Sequence, residues 1–296
     1  MSDKLFPVVV RQYIFGLVGS LMLVSAIPFS APVQAHIGIS EDIEEVNERI
    51  KDDPEALELY LLRGDLYRIN GHWPESIADF NKVQQFDPGN AAADRGIGRA
   101  YLEQGLYRKA IKHLNRALAK EPNNVRGLVT RAKTYRLLGE PLSAAADYER
   151  AINSFQDPQK PIPEYYFERA RSFEAAGIDY IGAALQTLDG GISRLGNLWI
   201  LQDYAIELER KRHNYDVALQ RLDRMIDRSV RKEALLMRRG EILMEADRTA
   251  EAEANFAAAR DAIDALPPQR RQTRSMKQLH TDIDSRMRSL KQRGGR

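Results

Sequence analysis

The sequence predicts an all-α protein: a right-handed α-solenoid of about six helical hairpins with a covering helix at each end. Three observations carry that expectation. A frame of 34 residues runs through the chain. Within each turn of the frame, apolar residues recur at helical spacing instead of the alternation of a strand. Glycine holds a fixed place in mid-turn, and proline closes the first two turns, where a second helix must stop.

The chain opens outside that frame. Lys4 and Arg11 precede an apolar stretch from Tyr13 to Ile27, followed by Pro28 and the small-residue exit Val33-Gln34-Ala35. This is the three-part layout of a secretory leader over residues 1–35, with a cut before His36. The apolar run is shorter than the roughly 20 residues a spanning helix requires. An exported protein is expected, periplasmic in the simplest case and extracellular otherwise. Residues 36–53 read as a capping helix: Ser40 can serve as its N-cap, and Ile43, Val46 and Ile50 share one face.

Residues 54–158 hold the three clearest turns. Counting Leu57 as position 1, the first gives Tyr60, Gly64, Tyr67, Gly71, Ser76, Phe80, Val83 and Pro88. The second gives Gly98, Tyr101, Gly105, Ala110, Leu114, Ala117 and Pro122, and the third Leu128, Ala132, Tyr135, Gly139, Ala144, Tyr148 and Ala151. Small residues at positions 8 and 20 allow close helix approach, so enlarging one should cost roughly 1 to 3 kcal/mol. Gly71, Gly105, Gly139 and Gly177 at position 15 suit a helix end with positive φ.

Residues 159–268 continue the pattern less strictly. After a Pro-rich insertion from Asp157 to Pro163, the fourth turn reads Tyr166, Ala170, Phe173 and Gly177, then Ala184, Leu188 and Gly191 with two residues added. Turns five and six start near Trp199 and Glu233 and are degenerate. In turn five the strict frame puts Ile206 and Glu209 at the small and aromatic positions, whereas a shift of one residue gives Ala205 and Leu208. The shifted register is the expectation for that helix.

This pattern resembles the tetratricopeptide repeat family over about residues 54–266. The resemblance implies that the first helices of the hairpins line a concave groove and that positions 2, 5, 9 and 12 are available to a ligand. Position 9 then carries Asp65, Arg99, Lys133 and Arg171, followed by Glu207 (or Ile206 in the shifted register) and Glu241. Arg95, Arg126 and Arg136 add to the same centre. The groove is expected to be basic in turns two to four and acidic at both ends. Clustered guanidiniums suit carboxylates, so the expected partner is a protein or peptide with an acidic segment or a C-terminal carboxylate. Some family members clamp a terminal carboxylate with asparagine, but no turn here has asparagine at position 9. The opposing reading has these cations paired with carboxylates such as Glu103 and Glu174.

Residues 269–296 form a basic amphipathic helix and tail, with nine basic residues against two acidic ones. Met276, Leu279, Ile283, Met287 and Leu290 make a narrow stripe that either caps the last hairpin or pairs with a second copy of the chain. The basic side offers peripheral contact with an anionic envelope surface. Residues 36–268 are net acidic, which together with export argues against nucleic acid as a partner.

Nothing in the sequence converges on catalysis. The chain has no cysteine, and His36, His72, His113, His213 and His280 are scattered without zinc spacing. His72 and His213 fall at hairpin turns and should be exposed. His36, as a mature N-terminus, is the weakest of metal candidates. Gly96-Ile97-Gly98 follows no strand, and Gly98 falls on a packing position. No cofactor and no enzyme activity are expected. The reading is a non-enzymatic binding scaffold or assembly factor of the cell envelope. The rival is a structural protein that self-associates through its C-terminal helix, with an enzyme as the third class.

Overall fold

The computed structural model describes residues 33–155, 161–196 and 198–294, and among these the chain is helix and turn without strand. A first helix, α1 (Val33–Asp52), is followed by six hairpins. These are α2 (Leu57–Ile69) with α3 (Trp73–Phe86), α4 (Ala91–Glu103) with α5 (Tyr107–Lys120), and α6 (Val125–Leu138) with α7 (Pro141–Asn153). The stack continues with α8 (Pro163–Ala176) and α9 (Ile181–Leu195), α10 (Trp199–Lys211) and α11 (Tyr215–Arg228), and α12 (Glu233–Glu245) and α13 (Thr249–Asp264). A single turn, α14 (Pro268–Arg271), leads into α15 (Arg274–Gly294). Successive first helices touch: α2 with α4, α4 with α6, and α8 with α10. The second helices stand outside them, so the first helices form one continuous face.

The turn inside each hairpin is set by one backbone conformation. His72, Leu106 and Glu140 donate their N–H to the carbonyls of Tyr67, Tyr101 and Tyr135, at 2.8–2.9 Å. Gly71, Gly105 and Gly139 stand just before those donors with φ of 78°, 74° and 81°. The same bond joins Asn214 to Glu209 and Arg248 to Leu243, and there His213 and Asp247 occupy the glycine position with φ of 58° and 56°. A side chain with a Cβ is strained in this region, by about 1–2 kcal/mol. Glycine also frees the unfolded chain, which offsets part of the relief. Replacing His213 by glycine is therefore expected to raise stability by about 0.5–1 kcal/mol. A thermal midpoint that falls instead would mean that the His213 Nδ1 contact with the Tyr215 hydroxyl, at 2.8 Å, outweighs the strain.

These turns also settle the register of α10, and they correct the shifted expectation. Glu209 accepts the bond that the tyrosine at position 11 accepts elsewhere, so the strict frame holds. Ile206, at the small-residue position, is fully buried with Ala218 and Leu222 of its own hairpin partner. Ala205 and Leu208 are buried too, but on the side facing the preceding hairpin, with Tyr166 and Leu188. The polar Glu209 is tolerated because Asn214 Nδ2 donates to it at 3.0 Å. In turn four, the two added residues are taken up by a 3-10 turn, Ile178–Tyr180, after Gly177.

Close approach explains the stray glycine motif. A Cβ on Gly96 would lie 2.4 Å from Cζ of the buried Phe80, and one on Gly98 would lie 2.7 Å from Cγ of Leu114. Both glycines are packing residues inside α4.

Arginines at position 7 join neighbouring hairpins. Arg63 and Arg131 each make paired bonds of 2.7–2.8 Å to Asp79 and Asp147 of their own hairpin. Their remaining Nη1 donates at 2.8 Å to Asn47 and Asn115 of the preceding helix. Arg169 and Arg239 reach back in the same way, to Glu149 at 2.9 Å and Asp223 at 2.7 Å.

Asn47 belongs to α1, which thus stands where a preceding second helix would. Ile43 and Val46 are buried, and Ile50 packs against the Tyr60–Phe80 cluster, as expected of a cap. The helix begins earlier than expected, so Ser40 sits within it and not at its N-cap. The expected cut before His36 falls in the first turn of α1. Most of the leader, 1–32, lies outside the described residues, as do the side chain of His36 and residues 156–160, which include the first part of the Pro-rich insertion.

At the far end, Ile283 and Leu290 of α15 are buried in the last core, with Leu279 and Met287 packed against it. The apolar stripe therefore caps its own stack, and self-association through that stripe would require α15 to leave α13. No described helix is long and apolar enough to cross a membrane.

Candidate functional site

Helices α2, α4, α6, α8, α10 and α12 present their polar positions along one face, and most junctions between them are bridged by ion pairs. Arg99 Nη1 lies 3.4 Å from Asp65, and Arg68 bonds Asp65 at 3.0 Å and also reaches Glu103, which ties α2 to α4. Lys133 meets Glu164 and Arg136 meets Glu168, both at 3.4 Å, which ties α6 to α8. Lys211 and Tyr204 both bond Glu174 between α10 and α8. Arg210 bonds Glu245 at 3.0 Å and Arg238 bonds Glu207 at 2.6 Å between α10 and α12. Arg286 of α15 closes the row on Glu241 at 3.0 Å.

The α4–α6 junction has no such bridge among the described residues. Arg95 and Arg99 lie on α4, and Arg126, Lys133 and Arg136 lie on α6, where the charge of Arg126 acts on Tyr165 of α8. Their partners lie to the outside: Arg99 pairs toward α2, and Lys133 and Arg136 toward α8. Arg95 pairs with Glu121 at 3.3 Å, a half-exposed carboxylate on the loop before α6. Arg126 is exposed and makes no ion pair among the described residues. Burial first, and then the charges of Arg68 and Arg95, hold Arg99 below the usual guanidinium range despite Asp65 and Glu103. Arg95, Arg99, Lys133 and Arg136 are thus each paired, but with carboxylates that do not join α4 to α6.

Of the residues expected to form a basic centre, Arg95 and Arg99 stand on α4 and Arg126 and Lys133 on α6, the two helices of this junction. Arg136 borders it, half-buried against Glu168. Arg171 stands apart: it bonds Glu168 within its own helix at 3.1 Å, with its guanidinium 5.9 Å from the Phe167 ring. Five of the six candidates are thus paired with carboxylates, and turn four supplies two of those carboxylates, Glu164 and Glu168. Position 2 of turn four, Glu164, signalled this in the sequence, whereas Glu168 at position 6 lies off the positions considered. Glu103 and Glu174 pair with Arg68 and Lys211, but the opposing reading holds through other carboxylates: Glu121, Asp65, Glu164 and Glu168 pair with Arg95, Arg99, Lys133, and Arg136 and Arg171.

At the α8–α10 junction aromatic and apolar side chains join the ion pairs. The Phe167 and Tyr204 rings lie 4.8 Å apart, and Trp199 and Ile200 at the start of α10 are half exposed. Burial and then the bond to Glu174 push the Tyr204 phenol well above its ordinary range. The histidine nearest to a catalytic arrangement is His113, whose Nδ1 is 3.1 Å from the buried Asp94. Arg116 bonds the same carboxylate oxygen at 2.9 Å, and the three residues join α4 to α5 within one hairpin. Burial first, and Arg116 against Asp94, lowers the His113 pKa. Among the described residues no three side chains form a metal-binding group.

Comparison with known proteins gives the same architecture. Residues 67–132 match the family model of the tetratricopeptide repeat. The chain is 31% identical over 74 residues to Hsp70-Hsp90 organizing protein 3 of Arabidopsis thaliana, covering 25% of this chain and 13% of that protein. Across the curated relatives the matched segment spans between 9% and 26% of their length. The C-terminal part of a TPR repeat-containing protein of Cytophaga hutchinsonii superposes with a TM-score of 0.59 at 13% identity, over 83% of this chain and 95% of that one. YrrB, described as a TPR protein with an unusual peptide-binding site, superposes with a TM-score of 0.50 at 20% identity, over 62% of this chain and 92% of that one. Residues 67–132 therefore match the tetratricopeptide repeat in sequence, and the stack as a whole shares its helical-hairpin fold.

Proposed function

We propose that this protein is a non-enzymatic binding scaffold or assembly factor of the cell envelope, and that it holds an acidic segment or terminal carboxylate of a partner protein across the α4–α6 junction. One observation supports the reading: among the described residues no ion pair joins α4 to α6, whereas ion pairs join α2 to α4, α6 to α8 and α10 to α12. A carboxylate placed between Arg99 and Lys133 would take the place that Glu164, Glu174 or Glu207 takes at other junctions. A guanidinium can grip it through two parallel donors. Charge-assisted bonds of this kind are also the ones that a half-buried setting strengthens most. The peptide-binding site named for YrrB, on the same fold, supports a peptide as the form of the ligand.

The test uses a fluorescein-labelled hepta-glutamate peptide titrated into the full chain. Saturable binding that weakens with salt, and no binding of hepta-lysine, is the expected result. Binding insensitive to salt, or equal for both peptides, would remove the basis of the reading. The envelope location rests on the leader-like residues 1–35. The mass of the protein recovered from an envelope fraction should begin at His36, and an intact Met1 would count against export with cleavage.

A further inference from the structure

A second strongly charged surface lies at the C-terminal end of the stack, on the edge where second helices end and first helices begin. Here the α11–α12 loop supplies Arg228, Arg231 and Lys232, and the segment entering α15 supplies Arg270, Arg271, Arg274 and Lys277. All seven are exposed. Arg231 Nη2 stands 3.3 Å from Sδ of Met276 in the first turn of α15, which places the loop and the start of the helix side by side. Arg231 pairs with Glu233 at 3.5 Å, while the other six make no ion pair among the described residues. Asp227, Asp261 and Asp264 are the exposed carboxylates of this edge, so cations remain in excess. The inner face, by contrast, satisfies nearly every cation.

The loop also exposes an apolar tip. The Ser229 hydroxyl donates to the Arg231 carbonyl at 2.6 Å and accepts from the Arg231 N–H at 3.1 Å, closing a tight turn around Val230. Val230 is 100% exposed, more than any other large apolar side chain described. A tight turn that holds valine outward, among exposed cations most of which make no ion pair among the described residues, has the chemistry of an interfacial contact. The apolar tip enters the headgroup layer while lysine and arginine heads stay with lipid phosphates. An acidic protein would be met by the cations alone and gives no reason for Val230.

We propose that this composite surface, the Val230 loop together with Arg231, Lys232, Arg274 and Lys277, seats the protein on an anionic lipid bilayer. The proposal deepens the expectation that the basic C-terminal region meets an anionic surface, moves its centre from the helix to the loop, and is independent of the α4–α6 groove.

Because the chain has no cysteine, Val230→Cys in the full chain allows one environment-sensitive dye to be attached at the tip. The dye reports this loop alone, whatever other segments do. Emission should rise and shift to the blue on phosphatidylcholine vesicles containing phosphatidylglycerol, and stay unchanged on phosphatidylcholine alone. In the same labelled background, Arg231→Gln, Lys232→Gln, Arg274→Gln and Lys277→Gln together should raise the lipid needed roughly 100-fold. Arg231→Lys with Arg274→Lys should keep wild-type binding, since point charges suffice for a headgroup. An unchanged dye on anionic vesicles, an equal response to neutral ones, or the same response to poly-glutamate without lipid would each overturn the proposal. So would a folded quadruple variant that binds undiminished.

Discussion

Arg131→Met is expected to destabilise the protein by about 3 kcal/mol, read as a loss of unfolding free energy in urea followed by helical circular dichroism. The cause is what it leaves behind. Asp147 is almost fully buried and receives two bonds of 2.7 Å from Arg131, and the next cation, Arg150, is 3.8 Å away on a half-exposed side chain. Removing one partner of a buried pair strands the other, which costs more than the pair itself contributes. Arg131 also holds Asn115 of the preceding hairpin, so the loss acts on the interface between repeats as well as within one. In a stack whose stability is a sum of repeat and interface contributions, a weakened interface also makes unfolding less cooperative. The double variant Arg131→Met, Asp147→Leu removes the stranded charge and should recover more than half of the loss. A single-variant loss below about 1 kcal/mol would show that Arg150 or water replaces the pair, and would refute the assignment.

How legible this molecule is from its sequence depends on which positions the physics makes repetitive. Tyr67, Gly71, Phe80 and Ala132 recur at fixed offsets because every hairpin faces the same packing problem, so the hairpins and their boundaries follow from the frame. The arginines at position 7 recur as well, at Arg63, Arg131, Arg169 and Arg239, but their partners sit 16 or 20 residues away on other helices. No local pattern announces such pairs. The register of α10 was misleading because Ala205 and Leu208 look like the better match to a small and an aromatic site. Both are indeed buried, against the neighbouring hairpin, while Ile206 fills the site itself. Where His213 and Asp247 replace glycine, the left-handed turn persists because the surrounding hairpin enforces it.

The groove was legible in its chemistry and less so in its extent. Cations at positions 2, 5 and 9 can be counted from the sequence, but whether each is neutralised depends on side chains of the adjacent repeat. Glu168 illustrates this, since it engages both Arg136 and Arg171 and so removes turn four from the basic patch. What remains is Arg126, exposed and without an ion pair among the described residues. On the proposed reading, leaving that junction without a bridging carboxylate is a local cost that a binding site can carry when its ligand supplies the charge.

That cost yields the second large effect. Arg99→Glu with Lys133→Glu should weaken capture of the hepta-glutamate peptide at least about 100-fold, close to 3 kcal/mol, because two attractive charges become repulsive. Stability should respond in the opposite sense or not at all. A glutamate at 99 no longer opposes Arg68 and Arg95, which offsets its approach to Asp65 and Glu103, and one at 133 meets the exposed Glu164 through water. The carboxylates that lose partners, Asp65 and Glu164, are about half exposed and retain water, and Asp65 keeps Arg68 at 3.0 Å. Loss of binding with an unchanged or raised urea midpoint is therefore the signature of a ligand site, whereas loss of both would mark Arg99 and Lys133 as structural ties. The converse control is Arg171→Glu, which faces Glu168 within one helix outside the junction and should lower stability slightly while leaving peptide capture intact.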